Sequence, residues 1–143
     1  MQLQDMPGHL IRRINQHSAH VFQLKVKEAG FDLTPVQFSA MCAIRDTPGI
    51  DQASVSAQIA YDRATIGGVI DRLEKKGWIS RKVSATDKRA REVSLTPLGE
   101  KVLATVLPVV RALQSEILTG LTPEESATVV ALLKKTVTSV TNG

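Results

Sequence analysis

Residues 62–95 read DRATIGGVIDRLEKKGWISRKVSATDKRAREVSL, and the spacing of the apolar residues changes halfway along this stretch. From residue 63 to residue 76 they recur at the spacing of one helix face, directly after Asp62, a good N-cap residue. Residues 78–83 and 91–95 are instead rich in β-formers or alternate in polarity, with a polar turn between them. The stretch predicts a helix followed by a two-stranded hairpin.

Outside this stretch the chain contains further helical patterns, several of which start with a Thr-Pro pair that combines an N-cap with proline at the first helical position. The expected order is helix, helix, short helix, helix, hairpin, helix, helix, a mainly α (α+β) arrangement. Two short helices joined by a tight turn and followed by a basic hairpin describe a winged helix-turn-helix. The predicted helices span about residues 6–28, 35–46, 52–60, 63–76, 97–119 and 123–140.

The basic charge is concentrated in one part of the sequence. The net charge of the 143 residues is only +4, but nine basic and three acidic residues lie between Arg63 and Arg91. That window carries +6 and the rest of the chain −2. A local basic excess favours a polyanion partner. Because only 3% of the residues are aromatic and these are scattered, a stacking platform for single strands is disfavoured and duplex DNA is expected.

Several classes of protein are disfavoured. The N-terminus has no basic segment followed by an apolar run, and no apolar stretch reaches the roughly 18 residues of a membrane span, so we expect a cytoplasmic protein without a membrane partner. Cys42 is the only cysteine, and the sequence places no cation or helix N-terminus beside it that would favour a redox role. We find no phosphate loop, metal-ligand spacing or nucleophile motif, so neither an enzyme nor a cofactor or metal is predicted.

The outer face of the fourth helix is the candidate for reading DNA. Small and hydrogen-bonding side chains there let a helix sit deep in a major groove. Gly67 and Gly68 cost about 1 kcal/mol each relative to Ala, which indicates either close approach to DNA or close packing on a neighbouring helix. Arg72 suits a phosphate or an internal carboxylate. The candidate DNA contacts are Ser54, Arg63, Ala64, Thr65, Gly67, Gly68, Arg72, Lys88, Arg89 and Arg91.

The hairpin tip, residues 84–91, has three basic residues in its last four positions. A guanidinium such as that of Arg89 suits the narrow, electronegative minor groove. Asp87, two residues earlier, is placed to hold the fork of Arg89 in position. The alternative for an isolated run of this kind is a solvated charged turn, but the helix that precedes it favours DNA.

Residues 62–81, taken with residues 87–89 and 93–99, resemble the MarR (multiple antibiotic resistance regulator) family of transcription factors. The pattern Asp-x-Arg followed by Leu-Thr-x-x-Gly is specific to the wing of that family, and length and helix order fit over essentially the whole chain. The resemblance implies a cytoplasmic homodimer on a pseudo-palindromic operator, with the fourth helix in the major groove and Arg89 in the minor groove. Gly67-Gly68 departs from the family, whose members usually carry larger side chains there, so the operator sequence is not carried over.

The two ends of the chain are expected to pair two copies. The last helix is more apolar than covering a small domain requires, which favours a dimer over ordinary core packing. The resemblance implies that the first, fifth and sixth helices form this interface. We therefore expect residues 1–34 and 97–143 to be dimerisation helices and residues 35–96 to be the DNA-binding lobe.

A ligand site is predicted on the first helix. His9, Arg13 and His20 fall within about 40° of one another at 100° per residue, with His17 beside them and apolar residues adjoining. A cation beside an apolar wall suits an aromatic carboxylate, although the same cluster is also consistent with a polar edge near a dimer interface. The resemblance implies effectors between the dimerisation helices and the DNA-binding lobe, commonly phenolic or aromatic acids.

Three hypotheses follow. The first is a ligand-responsive repressor, in which an effector changes the separation of the two recognition helices so that they no longer match half-sites about 34 Å apart. The second is an architectural DNA binder without sequence specificity, supported by the basic window and by the poor base-reading chemistry beside the glycines. The third, an enzyme, lacks a motif.

Overall fold

The computed structural model describes residues 1–88 and 90–142, and its helices and strands follow the predicted order. The winged helix-turn-helix with extra helices at both ends is thereby confirmed. A short 3-10 helix, Leu3–Asp5, precedes the first α-helix. The helices are α1 Pro7–Glu28, α2 Pro35–Asp46, α3 Gln52–Gln58, α4 Arg63–Lys75, α5 Pro97–Ile117 and α6 Pro123–Asn142, and the strands are β1 Ile50–Asp51, β2 Ile79–Val83 and β3 Arg91–Leu95.

Two details differ from the prediction. The sheet has three strands in the order β1-β3-β2, because Ile50 pairs with Val93 across from the hairpin. A two-residue strand has no periodicity of its own, so only the tertiary pairing reveals it. The third helix ends at Gln58 rather than at Ala60, since Ala60 is exposed and adopts a left-handed conformation with φ 59°.

One apolar core joins α2, α3, α4 and the sheet to the second half of α1 and to α5. The apolar stripe of α4 is fully buried in it, at 0–3% exposure. Aliphatic side chains supply nearly all of this core, as the low aromatic content requires, and Phe22 packs on Phe38 with ring centroids 5.8 Å apart. Its largest fully buried members are Met41, Ile44, Ile66, Ile70, Leu73, Leu103, Leu113, Val26, Val55, Val93 and Val106.

Gly99 explains the glycine of the Leu-Thr-x-x-Gly pattern. It lies in the first turn of α5, which is capped by Thr96, and a Cβ on Gly99 would stand 1.9 Å from the carbonyl oxygen of Trp78. Thr96 also donates its hydroxyl to the Gly77 carbonyl at 2.6 Å. Only glycine allows the start of α5 to contact the base of the hairpin this closely.

Helix α6 lies outside the core. Its apolar side chains are 42–76% exposed at Val130, Leu132, Leu133, Val137 and Val140. None of the described helices is long and apolar enough to cross a membrane.

Candidate nucleic-acid interface

The two helices of the helix-turn-helix begin with the same kind of cap. Asp51 accepts hydrogen bonds from the Ser54 N–H at 2.8 Å and from the Ser54 hydroxyl at 3.0 Å. Asp62 does the same with Thr65, at 2.8 and 2.9 Å. These bonds hold the pKa of both carboxyls below the usual range. Ser54 and Thr65, both candidate DNA contacts, therefore have hydroxyl groups that already donate within the protein.

The outer face of α4 carries the candidate contacts. Because its apolar stripe is buried, Arg63, Ala64, Thr65 and Arg72 are exposed, and Gly67 and Gly68 are half-buried. The exposed side chains come from the first turn and from the last, and the nine positions from Arg63 to Arg72 separate them by about 14 Å along the helix axis.

The structure distinguishes the two explanations for the paired glycines. A Cβ on Gly68 would meet no described atom within 4 Å, and on Gly67 it would lie 3.6 Å from the Gln52 amide nitrogen, an ordinary contact. Neither glycine has a positive φ. Packing within the described chain therefore does not require them, which disfavours close packing on a neighbouring helix as the reason for their presence.

The wing is formed by β2, β3 and the turn that connects them, and Ser84 closes this turn. Its buried hydroxyl oxygen accepts the backbone N–H groups of Thr86 and Asp87, both at 3.2 Å, and its own N–H donates to the Ala90 carbonyl. This arrangement leaves Lys88 exposed at the tip and Arg91 exposed at the start of β3. Arg89, the predicted minor-groove contact, lies outside the described residues.

A surface cleft of about 420 Å³ runs between the start of α3, the start of α4 and the wing. Arg63 and Arg91, which are 28 positions apart in the sequence, both line it, together with the carboxylates of Asp51 and Asp87. The fold thus brings one predicted contact from the helix and one from the wing to the same opening.

Some basic residues of the window are paired within the protein. Lys76 pairs with the Asp32 carboxylate at 3.7 Å, donates to the Asp32 carbonyl and lies 4.7 Å over the Trp78 ring. Lys82 pairs with Glu92 at 3.8 Å. Within residues 1–88 and 90–142, the basic residues of the window that are exposed and make no ion pair are Arg63, Arg72, Lys75, Lys88 and Arg91.

Sequence reasoning missed the role of Arg81, which it counted only as positive charge. On β2, Arg81 bonds Glu74 at 2.9 and 3.3 Å, contacts Asp71 at 2.8 Å and reaches Gln52 at 3.5 Å. The signal available in the sequence was the pair Asp71 and Glu74, which are three residues apart on one face of α4. Two neighbouring carboxylates repel each other, so a cation on an adjacent element is expected between them.

The four predicted ligand residues do not share one cavity. His17 donates from Nε2 to the Glu116 carbonyl at 3.0 Å, joining α1 to α5, and His9 Nδ1 lies 3.3 Å from the Arg12 guanidinium. Arg13 and His20 are exposed. A cavity of about 230 Å³ between α1, α2 and α5 opens on a different face of α1. It is lined by Asn15, Ser18, Ala19, Phe22, Pro35, Phe38, Ser39, Val110, Leu113, Gln114 and Ile117.

Cys42 is half-buried in α2. Burial raises the pKa of its thiol, although the nearby Arg45 and Arg111 oppose that shift. A thiol in this environment carries little thiolate at neutral pH, which disfavours a reactive cysteine.

Comparisons with known proteins agree with the fold. A family model described as "MarR family" matches residues 33–90. The transcriptional regulator HosA of Escherichia coli is 34% identical over 94% of this chain and 97% of HosA. The HTH-type transcriptional repressor NicR of Pseudomonas putida is 30% identical over 94% of this chain and 84% of NicR. The solved structure of Bordetella bronchiseptica BpsR, whose DNA binding is regulated by 6-hydroxynicotinic acid, matches with a TM-score of 0.86 and 31% identity over 96% of both chains.

Proposed function

Because the chain belongs to the MarR family of transcriptional regulators, we propose that it is a homodimeric repressor released by a small aromatic effector. The operator is a pseudo-palindrome in duplex DNA. The observation that carries the proposal is the surface formed by α4 and the wing. Among the described residues, exposed basic side chains that make no ion pair flank Gly67 and Gly68, and a Cβ on Gly68 would face open space.

On this proposal α4 enters the major groove and the wing follows the phosphate backbone to the adjacent minor groove. The missing Cβ atoms at Gly67 and Gly68 bring the α4 backbone closer to the base edges in a groove about 8.5 Å deep. Arg63 and Arg91 flank the cleft through which a phosphate strand would pass. The full set of proposed contacts is Ser54, Arg63, Ala64, Thr65, Gly67, Gly68, Arg72, Lys88, Arg89 and Arg91, with Asp87 orienting Arg89.

The exposed apolar end helices support the homodimer. The apolar side chains of α6, together with Leu10, Ile11 and Ile14 on α1, lie on the surface of the single chain at 42–76% exposure. A second copy of the chain, related by a two-fold axis, would cover these faces and would provide two DNA-binding surfaces for two half-sites. Residues 1–34 and 97–143 are then the dimerisation helices, and residues 35–96 the DNA-binding lobe.

The effector is proposed by analogy and by chemistry. BpsR responds to 6-hydroxynicotinic acid, a single aromatic ring with a carboxylate. Arg13 offers a cation near the proposed interface, and His9, His17 and His20 lie on the same helix as hydrogen-bonding groups. The cavity beside Phe22 and Phe38, at about 230 Å³, also suits one ring, but because it opens on a different face of α1 from Arg13 it is a separate candidate for the effector site.

The DNA proposal is tested by competition between a palindrome from upstream of the protein's own gene and random duplex, at about 150 mM salt. We expect the palindrome to bind about 10³-fold more tightly, the low end for specific regulators. Arg89→Ala should weaken operator binding several-fold while the sedimentation mass stays dimeric. A monomeric Arg89→Ala variant would instead assign the residue to the fold.

An architectural DNA binder is the second candidate, and one observation favours it. The hydroxyls of Ser54 and Thr65 are committed to their caps, so few side chains on the interface are free to read base edges. In the same competition, equal affinity for the palindrome and for random duplex would establish this candidate and exclude the repressor.

The ligand proposal is tested by calorimetry with salicylate and 6-hydroxynicotinate. Arg13→Ala should weaken binding of both acids several-fold, because the carboxylate loses its cation. Lys27→Ala is the matched control, since Lys27 is an exposed cation on the same helix, about 20 Å from Arg13 along the helix axis. Unchanged affinity in Arg13→Ala would remove Arg13 from the site.

A further inference from the structure

One guanidinium connects three elements of the DNA-reading unit. Arg81 lies on β2 of the wing, and its side chain is only 25% exposed. Its Nε and one terminal nitrogen bond the two carboxylate oxygens of Glu74 at 3.3 and 2.9 Å, and that terminal nitrogen also lies 2.8 Å from Asp71. The other terminal nitrogen donates to Gln52, the first residue of α3, over 3.5 Å. Wing, recognition helix and the helix before it therefore meet at one side chain.

The geometry leaves little of this group for DNA. All three guanidinium nitrogens contact protein acceptors, and the two carboxylates offset the positive charge. The bond from Arg81 also lowers the pKa of Glu74, so the pair stays charged through the neutral range. A two-oxygen, fork-like contact of this kind fixes direction as well as distance.

We propose that Arg81 is a positioning residue for DNA binding: it fixes the angle between α4 and the wing, so that both can engage one half-site together. This inference rests on the proposed function. Two contacts on a rigid body reinforce each other only when their spacing matches the target. If the orientation of the wing relative to α4 varied, the wing would still bind phosphates, but α4 and the wing would no longer fit one half-site together. Affinity for the operator would therefore fall more than affinity for random duplex.

The decisive variant is Glu74→Gln, because the two possible roles predict opposite signs. If Arg81 binds a phosphate, removing the carboxylate frees Arg81 and tightens binding to every duplex. If Arg81 positions the wing, operator affinity falls about tenfold, the effect of one lost charge-assisted hydrogen bond, while random duplex binds at least as tightly. We expect the second result. Tighter operator binding by Glu74→Gln would overturn the proposal.

Glu92→Gln is the matched control. It removes one negative charge from the sheet that carries Arg81 but breaks only the cross-strand pair with Lys82, which joins no helix to the wing. Operator binding should be unchanged or tighter in this variant. A tenfold loss in Glu92→Gln as well would mean that removing any carboxylate beside the wing has this effect, and would overturn the assignment to Arg81.

Arg81→Lys supplies an independent measurement, because lysine keeps the charge but lacks the fork. The operator-to-random affinity ratio should fall while the dependence of log K on log salt keeps its slope. A slope smaller by about 0.9 in Arg81→Ala would instead identify a phosphate contact. The outcomes also separate the two proposals. If the wild-type protein shows no preference for the operator, the repressor proposal is wrong. If the wild type is specific and Arg81→Lys keeps the full operator-to-random affinity ratio, the positioning role of Arg81 is wrong.

Discussion

Helices α4 and α6 have similar amphipathic patterns but very different surroundings. The apolar stripe of α4 is buried at 0–3% exposure by α2, α3 and the sheet, whereas the apolar residues of α6 are 42–76% exposed. The difference shows that a helical apolar stripe predicts a buried face without saying which chain buries it. Within the chain, the core buries the apolar stripe of α4, whereas the apolar face of α6 is exposed and is the face proposed to contact a second copy.

The largest expected effect is on α6. Leu133→Asp places a carboxylate on the proposed interface, where its desolvation costs several kcal/mol, so the dimer should dissociate and the sedimentation mass should halve at micromolar concentration. Thr138→Asp, on the polar side of α6 beside Lys134 and Lys135, is the control and should remain dimeric. A dimeric Leu133→Asp protein would mean that α6 lies outside the interface.

The matching change on α4 is Leu73→Ala. Leu73 is fully buried, so the cavity should lower the free energy of unfolding by about 2–5 kcal/mol. Denaturant titration should give this loss at every protein concentration, because the core belongs to one chain. If the loss in free energy of unfolding became smaller at high protein concentration, the stability of residues 35–96 would depend on a partner chain.

Two glycines sharpen the comparison at a smaller scale. The methyl group added by Gly68→Ala meets open space, so this variant should raise the free energy of unfolding by about 1 kcal/mol while weakening operator binding.

Gly99→Ala forces a methyl group against the Trp78 carbonyl and should lower the free energy of unfolding by at least about 1–3 kcal/mol. Thermal unfolding with operator titration measures both. A destabilised Gly68→Ala protein would point to packing instead of a partner.

The smallest effect concerns pH and the cap of α3. Because hydrogen bonds from Ser54 lower the pKa of Asp51, the ionised cap is fully stabilising above about pH 4 and loses strength as the pH falls through that lowered pKa. Asp51→Asn keeps a good cap residue but does not titrate. Its thermal midpoint should fall slightly less than that of the wild type between pH 5 and pH 3. Parallel curves would assign the acid sensitivity to other carboxyls.

Much of the interface could be predicted from the sequence because its signals are local. The cap at Asp62, the stripe of α4 and the alternation in the hairpin each depend on neighbouring residues, and their placement is as predicted. The positions of Arg63 and Arg91 on one cleft required the fold, since these residues are distant in sequence.

Other features could not be predicted because they depend on pairing across the fold. Ile50 becomes a strand only by lying beside Val93, and Arg81 changes from surface charge to an internal contact only when the wing meets α4. The predicted ligand cluster on α1 has the right angular spacing, yet the cavity at the α1–α2–α5 junction opens on another face of that helix. A helical projection gives the direction of each side chain around the helix axis but not the neighbouring element that the side chain faces.

The sequence by itself determined the order of elements, the helix starts and the position of the basic window, because caps, periodicity and charge are properties of short segments. The tertiary structure decided which charges face outward, why Gly99 must be glycine while Gly68 stands beside open space, and which apolar stripe the chain buries for itself. These properties depend on distances between segments, which the packing of the core sets.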